Sequence, residues 1–423
     1  MDASGVVGAI VADLVEYWWV YAAIPLMAAI IGYLTKLLAV RMLFEPLEFR
    51  GIRPVFGWQG MIPARAGKMA AIAYDTMTSG LIDIQELMSR IDPDELVAEL
   101  DGPVKEVVED LARTLLAEYR PGLYEALPEQ VRVLLIRRLQ AEAPQVVRQL
   151  AREVTSDVHA VIDVRHMVVS NLVRDKELLN RLIRDVAQPE LRFIVRSGIY
   201  FGAAIGVIQA VAWGLTKSPL VMPIFGFITG WVTDYLALNM LFLPREEKQF
   251  LGIRLQGKFQ RRRSEVGARY GDLIAKEILT PRNLLEGMLT GPKSDRLVAL
   301  VQREVRRAID ARAGLAKPLV VLAVGGQRFR ELERDAVAHV MATAPRTVES
   351  MFGYTEEALD VRNTISERME LLSAEQFEQI IRPAFKEDER TAVMVGAVLG
   401  GIIGEMQALA LIYLPMALGV LAV

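Results

Sequence analysis

The chain has 423 residues, of which 52% are hydrophobic and 24% are charged, and its formal net charge is −3. The negative charge argues against nucleic-acid binding, which requires a basic surface, and the absence of cysteine excludes disulfides, thiol catalysis and zinc–thiolate sites. A mean hydropathy of +0.27 is too apolar for an ordinary soluble protein, yet the chain is too charged for a pure membrane bundle, so we predict a few membrane spans joined to large polar segments.

The first apolar stretch, residues 18–35, carries no charge and is long enough to cross a bilayer. Residues 4–17 either extend this span or form an interfacial helix. A second stretch at 197–216 is joined by a very short link to a third, and the last begins at Thr391. We therefore predict four spans, near 18–44, 194–216, 219–243 and 391–414.

The segments between the outer and inner spans are predicted to be helical, because their apolar residues recur at helical spacing. Asp92-Pro93 marks one helix start, and the capping box Ser373-Ala374-Glu375-Gln376 marks another. Short β-hairpins are expected within 49–62 and 250–259. Prolines are expected to divide the segments into several helices: Pro103, Pro121, Pro144, Pro292, Pro318 and Pro345. The predicted divisions are a span at 1–44, a helical segment at 45–190, a helical hairpin at 191–244, a second helical segment at 245–390 and a final span at 391–423.

The chain repeats itself at an offset of 198 residues. Residues 32–46 align without a gap on residues 230–244. At the same offset, Gly198, Gly202, Gly206, Gln209 and Ala210 fall on Gly396, Gly400, Gly404, Gln407 and Ala408. We predict a tandem duplication, and hence an all-α membrane protein with about four transmembrane helices and two multi-helix segments. The glycines, spaced by four, give flat helix faces suited to close packing.

Basic residues crowd one side of the spans, so the positive-inside rule predicts that both helical segments lie in the cytoplasm and both termini outside. Some of these residues form basic collars next to the spans. The collars either hold anionic lipid headgroups or serve only to set the topology. The candidate headgroup contacts are Arg65, Lys68, Lys258, Arg261, Arg262 and Arg263.

Several polar residues lie within the predicted spans, where an ion is costly unless it meets a partner or a wet cavity. Lys36 and Asp234 hold the same repeat position, so a pseudo-two-fold axis could bring these opposite charges together. One interpretation is structural, a lock between the two halves; the other is a polar pathway for an ion, a proton or a lipid headgroup. The candidate intramembrane site comprises Lys36, Asp234, Glu405, Gln209, Gln407, Thr35 and Thr233.

Signatures of the common enzyme classes are absent from the sequence, including a Walker A loop, a dinucleotide-binding glycine fingerprint and a Gly-x-Ser-x-Gly elbow. The three histidines, His159, His166 and His339, are not at metal-ligand spacing. We therefore expect no enzymatic activity, no catalytic residue, no cofactor and no metal site.

The pattern Gly-x-x-Thr-x-x-x-Ala-x-x-Met-Leu-Phe-x-Pro at 32–46 and 230–244, with Gln59-Gly60-Met61-Ile62-Pro63-Ala64-Arg65, resembles the bacterial domain-of-unknown-function family number 445. The resemblance covers both repeats and implies a multi-pass protein of the bacterial inner membrane without an assigned activity. In that family Asn often follows the Thr, whereas this chain has Lys36 and Asp234. The resemblance brings no catalytic residues.

Two functions remain open. The first is a non-enzymatic, membrane-anchored scaffold associated with the cell envelope, which contacts membrane lipids and binds protein partners through its cytoplasmic helices. The second is a transport or lipid-handling protein with a polar intramembrane site. Exchanging Lys36 and Asp234 is expected to preserve a structural ion pair and to abolish an ion site. Self-association into a homo-oligomer stays open in both.

Overall fold

The computed structural model describes residues 15, 18–52, 56–119, 128–246, 248–250, 253–313 and 326–420. The first half of the chain contains α1 Trp18–Phe44, β1 Arg50–Ile52, β2 Phe56–Trp58, α2 Met61–Ala64, α3 Ala66–Thr78, α4 Ile84–Ser89, α5 Pro93–Tyr119, α6 Glu129–Gln140, α7 Ala143–Ser156, α8 Val158–Val161, α9 Val164–Arg174 and α10 Lys176–Thr216. The second half contains α11 Val221–Phe242, β3 Lys248–Phe250, β4 Ile253–Leu255, α12 Lys258–Arg261, α13 Arg263–Leu273, a π-helix Ile274–Ile278, α14 Pro281–Thr290, α15 Ser294–Ala313, α16 Gly326–Thr347, a 3-10 helix Val348–Met351, α17 Phe352–Leu359, α18 Val361–Leu371, α19 Ala374–Ile381 and α20 Pro383–Val420. Apart from Val15, residues 4–17 lie outside the described part, and so do both alternatives for them, an extension of the first span or an interfacial helix.

The chain folds into two compact units. The first, here called the span unit, combines Met1–Thr76, Leu172–Arg269 and Met369–Val423. The second, here called the arm unit, combines Met77–Asn171 and Tyr270–Arg368. The division therefore falls inside both predicted polar segments, because the residues that flank each span pack with the spans.

The span unit is built on four long helices. α1 packs along α10, α11 packs along α20, and α10 contacts α11. One residue from each helix meets in a shared buried cluster, formed by Ile24, Ala210, Met222 and Ala408. Tyr21 and Trp213 pack against this cluster with their rings edge to face. These contacts tie the four helices into one bundle.

Three described helical stretches have the length and composition to cross a membrane: Tyr21–Phe44, Lys176–Thr216 and Val221–Phe242. A shorter apolar stretch, Val393–Leu409, lies within α20. The outward faces of these helices are apolar, as illustrated by Leu26 on α1, Val211 on α10 and Trp231 on α11, each more than half exposed. Side chains of this kind are stable against lipid rather than water.

The link between α10 and α11 is as short as predicted. α10 ends at Thr216, and its C-cap residue Lys217 adopts a left-handed conformation with φ of 50° and donates its backbone N–H to the Trp213 carbonyl. The Lys217 ammonium lies 4.1 Å from the centre of the Trp213 ring, a cation–π contact that suits an interfacial lysine. The two helices form the predicted hairpin.

Both expected β-hairpins are present as two-stranded antiparallel ladders. Arg50 pairs with Trp58 in the first, and Lys248 pairs with Leu255 in the second. The predicted boundaries were wrong by a few residues, because helix α2 begins inside 49–62 and β3 begins before residue 250. The cause at the first site is Gly60, which precedes α2 and donates its N–H to the Pro46 carbonyl.

The arm unit is a helical assembly drawn from two distant parts of the chain. The Arg90 guanidinium on one part donates to the Leu359 carbonyl and the Thr364 hydroxyl on the other. Buried apolar residues from both parts form its core, among them Leu81, Val158, Ile162 and Ile365. The core of the arm unit is therefore shared between the two parts.

The prediction that every proline divides the helices was wrong at two positions. Pro103 lies inside α5 and Pro345 inside α16. A proline within a helix removes one backbone hydrogen bond. In α5, the buried residues Leu96, Leu100 and Ala112 on either side of Pro103 outweigh that loss through tertiary packing. Pro144 behaves as predicted and sits in the first turn of α7, whereas Pro121 and Pro318 fall outside the described residues.

Candidate functional site

Lys36 on α1 and Asp234 on α11 form an ion pair. Lys36 Nζ lies 2.5 Å from Asp234 Oδ1, and the two side chains are 2% and 11% exposed. The repeat-equivalent residues therefore meet, as their shared position suggested. A buried pair of this kind is strongly destabilised when one partner is removed, because the other charge is then left without compensation.

Glycines on the neighbouring helices make room for the pair. A Cβ added at Gly198 would lie 2.9 Å from the Cδ of Lys36, and one added at Gly396 would lie 1.8 Å from Asp234 Oδ2. These two glycines hold the same repeat position. Each charged side chain is thus seated against a helix backbone that has no side chain at that point.

The two threonines next to the pair are satisfied within their own helices. The Thr35 hydroxyl donates to the carbonyl of Ile31 at 2.8 Å, and the Thr233 hydroxyl to that of Gly230 at 3.4 Å. Both residues are buried. Both hydroxyls therefore bond within their own helix, as threonines in helices often do. The ion pair makes the polar contact between α1 and α11.

The remaining three residues of the predicted intramembrane site do not join the pair. Gln209 is buried and its Nε2 donates to the Met222 Sδ at 2.9 Å, while Gln407 is half-buried and Glu405 is exposed. Glu405 follows Gly396 by nine residues, about 13 Å along the helix axis. The structure therefore brings together Lys36 and Asp234 and leaves Glu405 on the outer face of α20.

The basic collars are partly engaged in protein contacts. Arg262 bonds both Glu190 and Glu265 at 2.7 Å, and these hydrogen bonds raise its pKa further despite partial burial. Arg263 donates to the Leu372 carbonyl, and Lys258 lies 4.9 Å from the centre of the Phe193 ring. The other three candidate headgroup contacts, Arg65, Lys68 and Arg261, are exposed. The residues best placed to meet solvent or lipid are therefore fewer than the charge pattern suggested.

A buried ion cluster in the span unit was not anticipated. Glu378 on α19 is 2% exposed and pairs at 2.6 Å with both Arg245 and Arg382. Burial alone would raise the pKa of Glu378, but the hydrogen bonds from Arg245 and Arg382 prevail and hold it below its ordinary value. The i, i+4 spacing of Glu378 and Arg382 was visible in the sequence, but nothing in it indicated that Glu378 is buried.

Comparisons with known proteins agree with a membrane location. Over 154 residues the chain is 27% identical to a UPF0754 membrane protein of Nostoc sp., a match that covers 33% of this chain and 37% of that protein. It is 33% identical over 141 residues to a UPF0754 membrane protein of Synechococcus elongatus, with 32% of this chain and 27% of that protein covered.

A third relative, from Exiguobacterium sibiricum, is 30% identical over 89 residues, covering 20% of this chain and 24% of the relative. The chain thus spans between 24% and 37% of the length of these curated relatives. No family model matches the chain, and no solved structure matches it. The relatives and the apolar helices together support a helical membrane protein similar to an uncharacterised membrane family.

Proposed function

We propose that this protein is a non-enzymatic, membrane-anchored scaffold of the bacterial inner membrane. It would belong to the domain-of-unknown-function family number 445. The observation that carries the proposal is the buried ion pair between Lys36 and Asp234. Lys36 and Asp234 neutralise each other at 2.5 Å in a close-packed bundle, as expected of a lock between helices.

The arm unit supplies a surface on which partner proteins could dock. Helix α6 contains no buried residue. Val131, Val133, Leu134 and Leu139 on this helix are each more than 40% exposed. Exposed apolar side chains grouped on one short helix are typical of interaction surfaces. Such a surface fits a scaffold better than a transporter.

The two halves of the span unit support an origin by tandem duplication. Gly60 and Gly257 have nearly the same backbone conformation, with φ of −53° and ψ of 141° and 138°. Each donates its N–H to the carbonyl of the proline that follows its span, Pro46 or Pro244, at 2.9 Å. We infer four spans in which the two copies enter the membrane in the same direction, with both parts of the arm unit in the cytoplasm.

Single-cysteine labelling tests this topology. Because the chain has no native cysteine, the maleimide can react only with the thiol that is introduced. An impermeant maleimide applied to intact spheroplasts is expected to label Thr216→Cys. It should label Arg138→Cys and Arg330→Cys only after permeabilisation, since both lie in the arm unit. Labelling of Arg138→Cys and Arg330→Cys from opposite sides would contradict the inference that the two copies enter the membrane in the same direction.

Reconstitution separates the scaffold from the transport or lipid-handling alternative. Proteoliposomes are assayed for proton flux with an enclosed pH dye and for lipid transfer with a fluorescent phospholipid quenched from outside. A scaffold is expected to match protein-free vesicles in both assays. If the unmodified protein carries a flux that protein-free vesicles lack and that the exposed-site variant Lys105→Met retains, the scaffold is wrong and the transport function replaces it.

A further inference from the structure

A cleft of about 1000 Å³ lies in the span unit where α1 ends, with the first turns of α10 as its other wall. Its apolar part is lined by Leu38 and Met42 of α1, and Leu38 is 45% exposed on the outer face of that helix. Its polar part is lined by the chain that follows α1. The cleft therefore runs from a lipid-facing helix surface to a charged rim, as an interfacial headgroup site would.

Two polar atoms among the lining residues have no hydrogen-bond partner within the described part of the chain. Asn180 is 4% exposed, and its Nδ2 donates to the Phe44 carbonyl at 2.7 Å while its Oδ1 is buried and unpaired. The Trp58 indole Nε1 is likewise buried and unpaired. An unsatisfied buried group costs free energy. One of these atoms accepts a hydrogen bond and the other donates one, so a ligand that satisfies both carries both functions.

The charges around the cleft are also of both signs. Guanidinium groups come from Arg41, Arg50 and Arg184, and carboxylates come from Glu45, Glu48 and Glu177. Guanidinium and indole N–H groups suit a phosphate, whereas a carboxylate and an amide oxygen suit an ammonium group. A purely anionic ligand would leave the Asn180 acceptor unpaired.

The equivalent place in the second copy is closed by the protein itself. At the offset of 198, Asn180 and Arg184 correspond to Glu378 and Arg382. There Glu378 is paired with Arg382 and Arg245. In the second copy, the Glu378 carboxylate is thus paired with two arginines. In the first copy, the Asn180 Oδ1 at the equivalent position has no partner among the described residues.

We propose that the cleft binds the headgroup of a phospholipid with a primary ammonium group, of the phosphatidylethanolamine type. Trp58, Arg50 and Arg184 hold the phosphate, and Asn180 Oδ1 and Glu177 receive the ammonium hydrogens. The acyl chains lie along Leu38 and Met42. This site goes beyond the scaffold function and does not depend on the outcome of the flux assay.

The test is native mass spectrometry of the full-length protein in detergent, titrated with single lipids. Dioleoyl phosphatidylethanolamine is expected to bind about tenfold more tightly than the phosphatidylcholine analogue, whose quaternary ammonium cannot donate, or the phosphatidylglycerol analogue, which has no ammonium. Soluble glycerophosphoethanolamine should bind more weakly still, because it has no acyl chains.

Matched variants locate the site. Trp58→Phe keeps the ring and removes the unpaired donor, and Arg184→Ala removes an exposed guanidinium; each is expected to weaken phosphatidylethanolamine binding about tenfold. Arg192→Ala, an exposed arginine elsewhere on α10, should leave it unchanged. Equal affinity for the three lipids, equal affinity for the soluble headgroup, or equal loss in Arg192→Ala would each overturn the proposal.

Discussion

Lys36→Met is expected to destabilise the span bundle by about 3–5 kcal/mol, because it leaves the Asp234 carboxylate buried without its partner. The side chain of Asp234 is only 11% exposed, so water cannot replace the lost ammonium. Asp234→Asn is expected to cost a similar amount by leaving Lys36 unpaired. Unfolding in mixed micelles with increasing SDS measures both losses.

The double variant Lys36→Met with Asp234→Asn decides whether the loss arises from the pair. With both charges gone, it is expected to regain at least about half of the stability lost in either single variant, as coupled residues do. Lys105→Met is the matched control, since Lys105 pairs with Asp101 at 2.5 Å but both side chains are about half exposed. Its cost should stay below about 1 kcal/mol. Single variants as mild as this control would mean that the buried pair does not lock the bundle.

The exchange of Lys36 and Asp234 is a weaker test than the sequence suggested. Asp234 Oδ2 occupies the place that a Cβ on Gly396 would take. A lysine at position 234 would have to fit its longer chain against that backbone. Loss of stability in the exchanged protein would therefore reflect packing as well as charge, and the uncharged double variant avoids the ambiguity.

Gly400→Ala is expected to disrupt the packing of α20 on α11 by about 1–3 kcal/mol or more, as overpacking does. A Cβ at this position would lie 2.3 Å from the carbonyl oxygen of Gly226, where only a shift of the helix backbone relieves the clash. The two helices would have to move apart along their length. The loss is measured as a fall in the thermal midpoint of the detergent-solubilised protein.

The neighbouring glycine on the same helix is the control. A Cβ at Gly401 would meet nothing closer than 3.7 Å, an ordinary van der Waals contact. Gly401→Ala is therefore expected to leave the midpoint unchanged or raise it slightly, because alanine favours the helix. If Gly400→Ala and Gly401→Ala behave alike, backbone contact between α11 and α20 is not what holds these helices together.

The parts of the fold that follow from the repeat could be predicted from the sequence. The sequence equivalence of Lys36 and Asp234 led us to expect their approach, and the two side chains do form an ion pair. The glycine spacing likewise predicted close packing, and Gly198 contacts Gly32 while Gly396 contacts Gly230. The first inference rested on the internal repeat and the second on the four-residue glycine spacing.

Contacts between side chains that are far apart in the sequence could not be predicted. Arg262 was predicted to contact lipid headgroups, yet it forms an ion pair with Glu190, which lies 72 residues earlier in the chain. Glu405 was predicted to belong to the candidate intramembrane site, yet it is exposed. The apolar sequence around it does not show which side of the helix faces inward. The unpaired acceptor of Asn180 is likewise visible only once its partner, the Phe44 carbonyl, is placed.

The arm unit is made of Met77–Asn171 and Tyr270–Arg368, so the ribosome completes its second half only after α10 and α11 have been synthesised. Roughly 200 residues separate the end of the first half from the end of the second, about 10–40 s of translation. During that interval Val158 and Ile162 have no complete core to enter. The arm unit can therefore complete its core only after α10 and α11 have been translated.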